Sequence, residues 1–496
     1  MAKKKNFRKK SLNSKYFIIF ILLIIISITI INMFHFSHAQ KEYTKKTEYY
    51  TGEIIKPNYS ANLLDSLETN ENIVISPSNI TTSLAILYNA SENNTYNELK
   101  NFFKKDLSMV NSKMSIIDNS IKNEWPENEV TTYYEKITNP LLEYANNTNT
   151  KIEDLSEKNR QKLILNIIQS EKTYLLIKSN NYNNNELKRI KKYKLNKNEE
   201  KLSLPQISNK LLEILNYYNK YKLNKIDSKN IIINKDNKLT NNESFQKNIE
   251  KYNNFKTIIY KGNNKEFNNE LKDLSNYNWY LDDNTIKNNE LLFINSFSFE
   301  DGWQEEFNNL NNIDEDFFVS QEEKIIVEMM RYKSDTYLEN NEAYGFMKDF
   351  SNSKYTFVGI LPKDEKLSKL SNINIENLLT STKKEESLII IPKFSINSTI
   401  NLEKALETTL STSSITSNSN YLNYNNKPVR LTYYYQKVGL TIGENGTKDS
   451  DYLIPKIEAF IDLNNKIIFN KPFYFIIMDK ENQNVLLIGK IINPLY

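Results

Sequence analysis

The sequence predicts a mixed α+β fold, and three observations carry that expectation. Apolar runs of strand type, Ile73–Ile75, Leu291–Phe299 and Phe473–Ile477, are spread along the chain rather than grouped. Stretches with helical spacing stand between them, such as Pro77–Ala90, where Ile80, Leu84 and Leu87 share one face. The third is a long segment, Glu444–Pro472, held between the strand-like stretches Gly439–Ile442 and Phe473–Ile477. Gly446, Asn464 and Asn465 favour turns within it, and Pro455 cannot donate to a central sheet ladder. Loops this long in compact domains are commonly functional or disordered, and apolar anchoring at both ends points to function.

The first forty residues read as an export element. Lys3, Lys4, Lys5, Arg8, Lys9, Lys10 and Lys15 precede an uncharged, mostly apolar run from Tyr16 to Phe36. Basic residues stay on the cytoplasmic side, so the remainder is expected to face outward. The run is about long enough to span a bilayer, which favours an anchor through residues 16–36. Ser37-His38-Ala39 also offers a small-x-small cleavage site before Gln40, the alternative of a signal peptide. Residues 41–57 read as a polar tether.

Ser60–Glu68 is expected to form a first helix with Ser60 as its cap. Ile73–Ile75 follows as a short buried strand, and Ser76 then caps the Pro77–Ala90 helix, with Pro77 where no amide donor is needed. Another helix is expected at Tyr96–Phe103. Residues 110–225 are of low complexity, rich in Asn, Lys and Tyr, with helical fragments such as Leu211–Tyr218. Within this stretch Lys188, Arg189, Lys191, Lys192, Lys194 and Lys197 surround Tyr193, the pattern of a solvated face. Asn230–Ile233 and Phe255–Tyr260 read as strands. Leu291–Phe299 reads as a central strand buried on both faces, closed by a turn and the anchoring Trp303.

Composition removes whole classes of chemistry. With 496 residues, 39% hydrophobic and 25% charged, the chain suits one large or two ordinary globular domains. It has no cysteine, which excludes disulfides, thiolate nucleophiles and thiolate metal sites. Its two histidines, His35 and His38, both belong to the N-terminal segment. A Ser-His-Asp triad or a His-ligated zinc is therefore impossible in the rest. The glycine cluster Gly439–Lys448 lacks a phosphate-loop pattern, and no carboxylate pair stands out, so neither an enzyme nor a cofactor or metal is expected. Seven of the 65 basic residues lie in the leader, which leaves 58 against 61 acidic ones; nucleic acid is an unexpected partner for that balance.

Several of these stretches resemble the serpin family, the serine protease inhibitor fold. Asn72-Ile73-Val74-Ile75-Ser76-Pro77-Ser78-Asn79-Ile80 looks like its opening signature. Leu291–Phe299 with Gly302, Trp303 and Phe307 resembles its central block, and Val327-Glu328-Met329-Met330 its V-x-M-M strand. Phe357–Lys363, Ile391-Pro392-Lys393-Phe394 and Phe469–Phe475 are similar to further family motifs, as are Val485–Ile492 and Asn493-Pro494 in the closing hairpin. The matches fall in order over residues 58–496, with one gap at about 110–225, where the resemblance implies a low-complexity, partly disordered surface insertion because family members are usually shorter there.

The resemblance implies three β-sheets, about eight to nine helices, a monomer, and an exposed reactive-centre loop at residues 444–472. It implies a suicide substrate for a target serine or cysteine protease outside the cytoplasm. Family spacing from Gly446 puts the cleaved bond at Phe460–Ile461, and a Phe there suits a chymotrypsin-like or subtilisin-like enzyme. Glu444, Gly446 and Thr447 match the hinge that starts loop insertion, which frees stored strain by adding a strand to the main sheet. Asp449 and Asp451 stand where inhibitory members carry small residues, and with Thr447 facing inward they would too. Burying an unpaired carboxylate is costly, so a non-inhibitory binding module is the alternative. Ser76 and Asn295 match the family's shutter, where Asn79 replaces a usual Ser and Gln436 a usual His.

Overall fold

This computed structural model describes residues 55–120, 129–146, 152–179, 184–223, 225–234, 243–275, 277–351, 354–364, 369–410, 413–424, 427–447 and 462–495. The leader and most of the tether lie outside them. Among the described residues no helix is long and apolar enough to cross a membrane.

Thirteen α-helices are described: α1 (Pro57–Asp65), α2 (Pro77–Ala90), α3 (Asn93–Phe103), α4 (Leu107–Ser120), α5 (Glu129–Asn146), α6 (Glu157–Lys178), α7 (Asn184–Lys191), α8 (Leu204–Leu223), α9 (Glu243–Ile249), α10 (Asn264–Ser275), α11 (Asp283–Asn288), α12 (Ile375–Thr380) and α13 (Leu402–Leu410). The strands in chain order are β1 (Ile73–Ile75), β2 (Lys225–Asn234), β3 (Phe255–Ile259), β4 (Leu291–Glu300), β5 (Ile313–Phe318), β6 (Lys324–Ser334), β7 (Tyr337–Glu339), β8 (Ala343–Asp349) and β9 (Tyr355–Pro362). They continue as β10 (Thr382–Lys383), β11 (Ser387–Pro392), β12 (Phe394–Asn401), β13 (Tyr421–Tyr424), β14 (Lys427–Val429), β15 (Leu431–Ile442), β16 (Lys466–Ile468), β17 (Phe473–Asp479) and β18 (Val485–Ile491). Three main sheets form, in the orders β12-β15-β4-β2-β3, β16-β11-β6-β5 and β1-β18-β17-β9-β8-β7-β10, beside a small β13-β14 ribbon.

The five-stranded sheet is buried on both faces because its central strand alternates between two cores. Phe293, Phe297 and Phe299 of β4 pack toward the seven-stranded sheet and α2. Leu292 and Ile294 face the other way and join Ile231, Ile233, Phe267, Leu271 and Trp279 under α10. The expected strand with two apolar faces is therefore real, and Trp303 is buried beside it. Ser76 caps α2 as expected, its hydroxyl accepting from Asn79 N at 3.3 Å. The first helix differs: α1 starts at Pro57, so Ser60 is a buried interior residue and not the cap. A proline in the first turn loses no helical bond, and that sets the earlier start.

The expected low-complexity insertion is largely helical where it is described. Its first part lies in α4, which packs on α2, and the rest forms the helices α5–α8. Val130, Tyr134, Leu142, Tyr174, Ile177, Leu187, Leu215 and Tyr218 form one core of this module. Leu141, Leu163, Ile164, Ile167, Ile168, Ile207, Leu211 and Ile214 form a second. Asn has low helix propensity, so packing rather than local preference holds these helices. The basic run on and after α7 is mostly exposed, with Lys191 on Glu129 at 2.7 Å and Arg189 on Glu186 at 2.6 Å. The thirteen α-helices described exceed the eight to nine that the resemblance implies, and α5–α8 account for four of them.

Candidate functional site

The site is built on a seam in the five-stranded sheet. β15 pairs with β4 in parallel, from Leu431 on Leu291 to Gly439 on Ser298. Both strands therefore end at the same pole, and a chain that leaves β15 and folds back runs antiparallel to each of them. The residues after β15 begin that path. Gly443 and Gly446 exchange backbone hydrogen bonds of 2.8 and 3.3 Å across the turn Glu444-Asn445. On its other side Gly446 bridges Gly302, and Thr447 N donates to Asp301 O at 3.0 Å. The Asp301 N–H in turn donates to Thr447 Oγ1 at 2.8 Å. Only glycine fits at 446: its φ is +132°, and a Cβ there would meet Asp301 O at 2.2 Å.

Aromatic and charged groups hold this hinge in place. Trp303 Nε1 donates to Gly443 O at 2.8 Å, Trp303 N to Asn445 O at 3.0 Å, and Phe307 N to Glu444 O at 3.0 Å. The Glu444 carboxylate accepts from Asn312 Nδ2 at 2.6 Å and lies 3.1 Å from Lys393 Nζ. Lys393 also reaches Glu328 at 2.6 Å. Burial pulls the Lys393 ammonium down, but hydrogen bonds to Glu328 and Glu444 outweigh it and hold the pKa above the usual lysine value. The hydrogen bond from Lys393 likewise holds the Glu328 carboxyl below its usual range. The expectation of an exposed loop from 444 to 472 needs correction at both ends. Glu444, Asn445 and Thr447 are buried, and Lys466–Ile468 form β16, parallel to β11.

Midway along the seam the four expected shutter residues meet. Gln436 Oε1 accepts from Ser76 N at 2.9 Å, and Gln436 Nε2 donates to Asn79 Oδ1 at 2.9 Å. Asn79 Nδ2 then donates to Ser228 Oγ at 2.9 Å. One side chain from α2 thus joins β15 to β2, passing the strand between them. Asn295 stands opposite Gln436 in the ladder and donates to Ser83 Oγ at 3.0 Å, while Ser83 also meets the Tyr434 hydroxyl. Ser83, Ser228 and Tyr434 were not singled out in the sequence. A polar Ser83 inside the apolar pattern of α2 was the one available signal.

Asp449, Asp451 and the Phe460–Ile461 bond lie outside the described residues. Among those described, no group of three or more Asp, Glu, His or Cys could hold a metal.

Comparison with known proteins fits this architecture. The family model "Serpin (serine protease inhibitor)" matches residues 174–494. Alpha-1-antiproteinase of Rattus norvegicus is 27% identical over 224 residues, 43% of this chain and 53% of that protein. Plasma serine protease inhibitor of Homo sapiens is 27% identical over 225 residues, 43% of this chain and 53% of that protein. The chain spans about half the length of the curated relatives it matches. Among solved structures, the thermophilic serpin tengpin in its native state aligns with a TM-score of 0.56 at 17% identity, over 88% of this chain and 93% of that one. Serpin48 of the insect Tenebrio molitor aligns at 0.58 and 15% identity, over 88% and 96%. These likenesses show the fold over most of the chain, and the family model covers more than half of it: the protein belongs to the serpin family.

Proposed function

We propose that this protein inhibits an extracytoplasmic protease as a suicide substrate, acting as a monomer. The target's serine or cysteine nucleophile forms an acyl bond to the Phe460 carbonyl carbon. The C–N bond to Ile461 breaks, and Ile461 leaves as a free amine. Residues 448–460 then insert between β4 and β15, carrying the acyl-enzyme with them. The observation that carries the reading is the closed parallel seam with Gly446 and Thr447 already turned into its head. Continuing that register sets residue 457 against Leu291, the first residue of β4, with Phe460 three residues beyond. The inserted strand would run the full seam and deliver the protease to the opposite pole.

A second reading, a non-inhibitory binding module, is favoured by one feature of the same register. It places Asp449 between Phe299 and Leu440, and Asp451 between Phe297 and Val438, all four buried. Each carboxylate would enter an apolar core. Incubating the protein with a chymotrypsin-like protease and running a denaturing gel separates the two. A covalent complex larger than either protein is expected; cleavage near Phe460 without a complex would establish the second reading instead.

A further inference from the structure

On the α5–α8 module a cleft of about 580 Å³ opens between α6 and α8, beside the chain that returns from α7 to α8. That volume suits a small molecule. The two helices are held together along it: Lys210 Nζ lies 2.8 Å from Glu171, and Tyr174 stacks on Tyr217 with ring centroids 4.2 Å apart. The returning chain is fixed as well. Arg160 Nη2 donates to Leu202 O at 2.5 Å, and Gln161 Nε2 donates to Glu200 O at 3.0 Å. The Tyr193 hydroxyl donates to Glu199 Oε1 at 2.8 Å, and Asn196 N donates to Glu199 Oε2 at 2.9 Å. The rim of the cleft is therefore preformed.

Charge in the cleft is unbalanced. Three ammonium groups line it, those of Lys172, Lys201 and Lys210, with two carboxylates, Glu171 and Glu199. Both carboxylates are engaged by the protein, Glu171 by Lys210 and Glu199 by Tyr193 and Asn196. Lys172 lies 4.6 Å from the Tyr193 ring centroid and pairs with no carboxylate among the described residues. Lys201 is exposed and has neither an ion pair nor a hydrogen bond through its ammonium among the described residues. Lys194 and Lys197, exposed on the same returning chain, add to the positive potential. An apolar wall completes the cleft, from Ile168, Leu175 and Leu202, and Leu175 is 53% exposed. A solvated basic face accounts for Lys194 and Lys197, but not for leucines in one cavity with two unpaired ammonium groups.

We propose that this cleft binds a small amphipathic phosphate monoester, with Lys172 and Lys201 on the phosphate and a short alkyl chain against Leu175 and Leu202. Lysine binds phosphate as a point charge, and two ammonium groups match the two charges of a monoester. The shared chemistry fits a soluble alkyl phosphate or the headgroup and first carbons of a phosphatidic acid. No residue of the reactive-centre loop takes part, so the site stands apart from the proposed inhibition.

Calorimetric titration of the full chain tests it, with inorganic phosphate and hexyl phosphate as probes. Wild type should take one hexyl phosphate, bound roughly tenfold or more tighter than inorganic phosphate, because the alkyl carbons leave water. Lys172→Gln/Lys201→Gln should weaken both probes by roughly tenfold or more. Leu175→Ser should leave inorganic phosphate unchanged and remove most of the preference for hexyl phosphate, which loss of a general surface charge would not do. Lys201→Gln alone, at an exposed position, should weaken hexyl phosphate by about threefold or more and keeps the test readable where the double variant does not fold. Tighter binding of dihexanoyl phosphatidic acid than of hexyl phosphate would support the site with a lipid headgroup as its source; the reverse order would support it with a soluble ester. No binding to wild type, equal binding of the two first probes, or equal affinity of wild type and Lys201→Gln would overturn the proposal. Equal binding of dihexanoyl phosphatidylcholine and dihexanoyl phosphatidic acid would overturn it too.

Discussion

Glu444 and Gly446 do different work within three residues of chain. Gly446 supplies a backbone conformation that side chains rarely adopt, which lets the chain reverse against Asp301. Glu444 supplies a charge that ties the reversed chain to Lys393 and Asn312. Glu444→Lys places like charges at that contact and should loosen the hinge by about 1.5–3 kcal/mol, the usual worth of a hydrogen bond to a charged group. A lower urea midpoint and faster proteolysis near residue 444 are expected; an unchanged midpoint would show that Glu444 does not restrain the hinge. The cluster should also respond to acid. Lys393 depresses the Glu328 pKa in the folded state, so the stability it contributes is complete above its ordinary value of about 4.5 and is lost as pH falls through the depressed one. A Glu328→Gln variant should therefore show a shallower loss of stability below about pH 4.5 than wild type, measured by urea unfolding at a series of pH values. Parallel curves would remove Glu328 from the account.

At the scale of elements, α2 acts as a clasp beneath the seam. Asn79 reaches Gln436 on β15 and Ser228 on β2, so separating β4 from β15 must disturb a buried amide network. Asn79→Ala removes those contacts and leaves buried amide and hydroxyl groups with fewer partners, at a cost of about 1–3 kcal/mol. The urea midpoint should fall accordingly; an unchanged midpoint would show that the clasp contributes nothing. Gln436 stands where the family resemblance implies a titratable imidazole. Neither Gln436 nor Asn79 changes charge between pH 5 and 8, so the rate of the proposed loop insertion after cleavage should be flat across that range. A rate that changes tenfold within that window would place control elsewhere. The element α2 was legible in the sequence because Ser76, Pro77 and the Ile80–Leu84–Leu87 face mark its start and buried side. The reach of Asn79 to β2 was not, because it depends on strands roughly 150 residues away.

For the whole molecule, the α5–α8 module stands out because it has hydrophobic clusters of its own. In the chain it leads to the sheet through α8, which ends at Leu223, and β2 begins at Lys225. Separate cores predict separate cooperative units. Calorimetry should resolve two transitions, one for the module and one for the serpin body. Replacing residues 121–224 by a short Gly/Ser link should remove one and keep the other. A single transition with equal calorimetric and van't Hoff enthalpies would make the module part of the body's cooperative unit.

The sequence by itself determined the class of fold, the strands β1, β4 and β17, and the cap of α2. These rest on short-range patterns: apolar alternation, capping side chains, and the proline and glycine positions that restrict the backbone. It also determined that neither histidine nor cysteine chemistry is available beyond the leader. Only the tertiary structure decided that Glu444–Thr447 is buried rather than exposed, since that burial comes from Trp303, Phe307, Lys393 and Asp301, which are distant in the chain. It alone buried Lys348 beside the rings of Tyr332, Phe307 and Trp303, which come from other parts of the chain. The helical module was likewise hidden: its Asn- and Tyr-rich segments have weak local preference, and their apolar residues make two buried cores only after the helices meet.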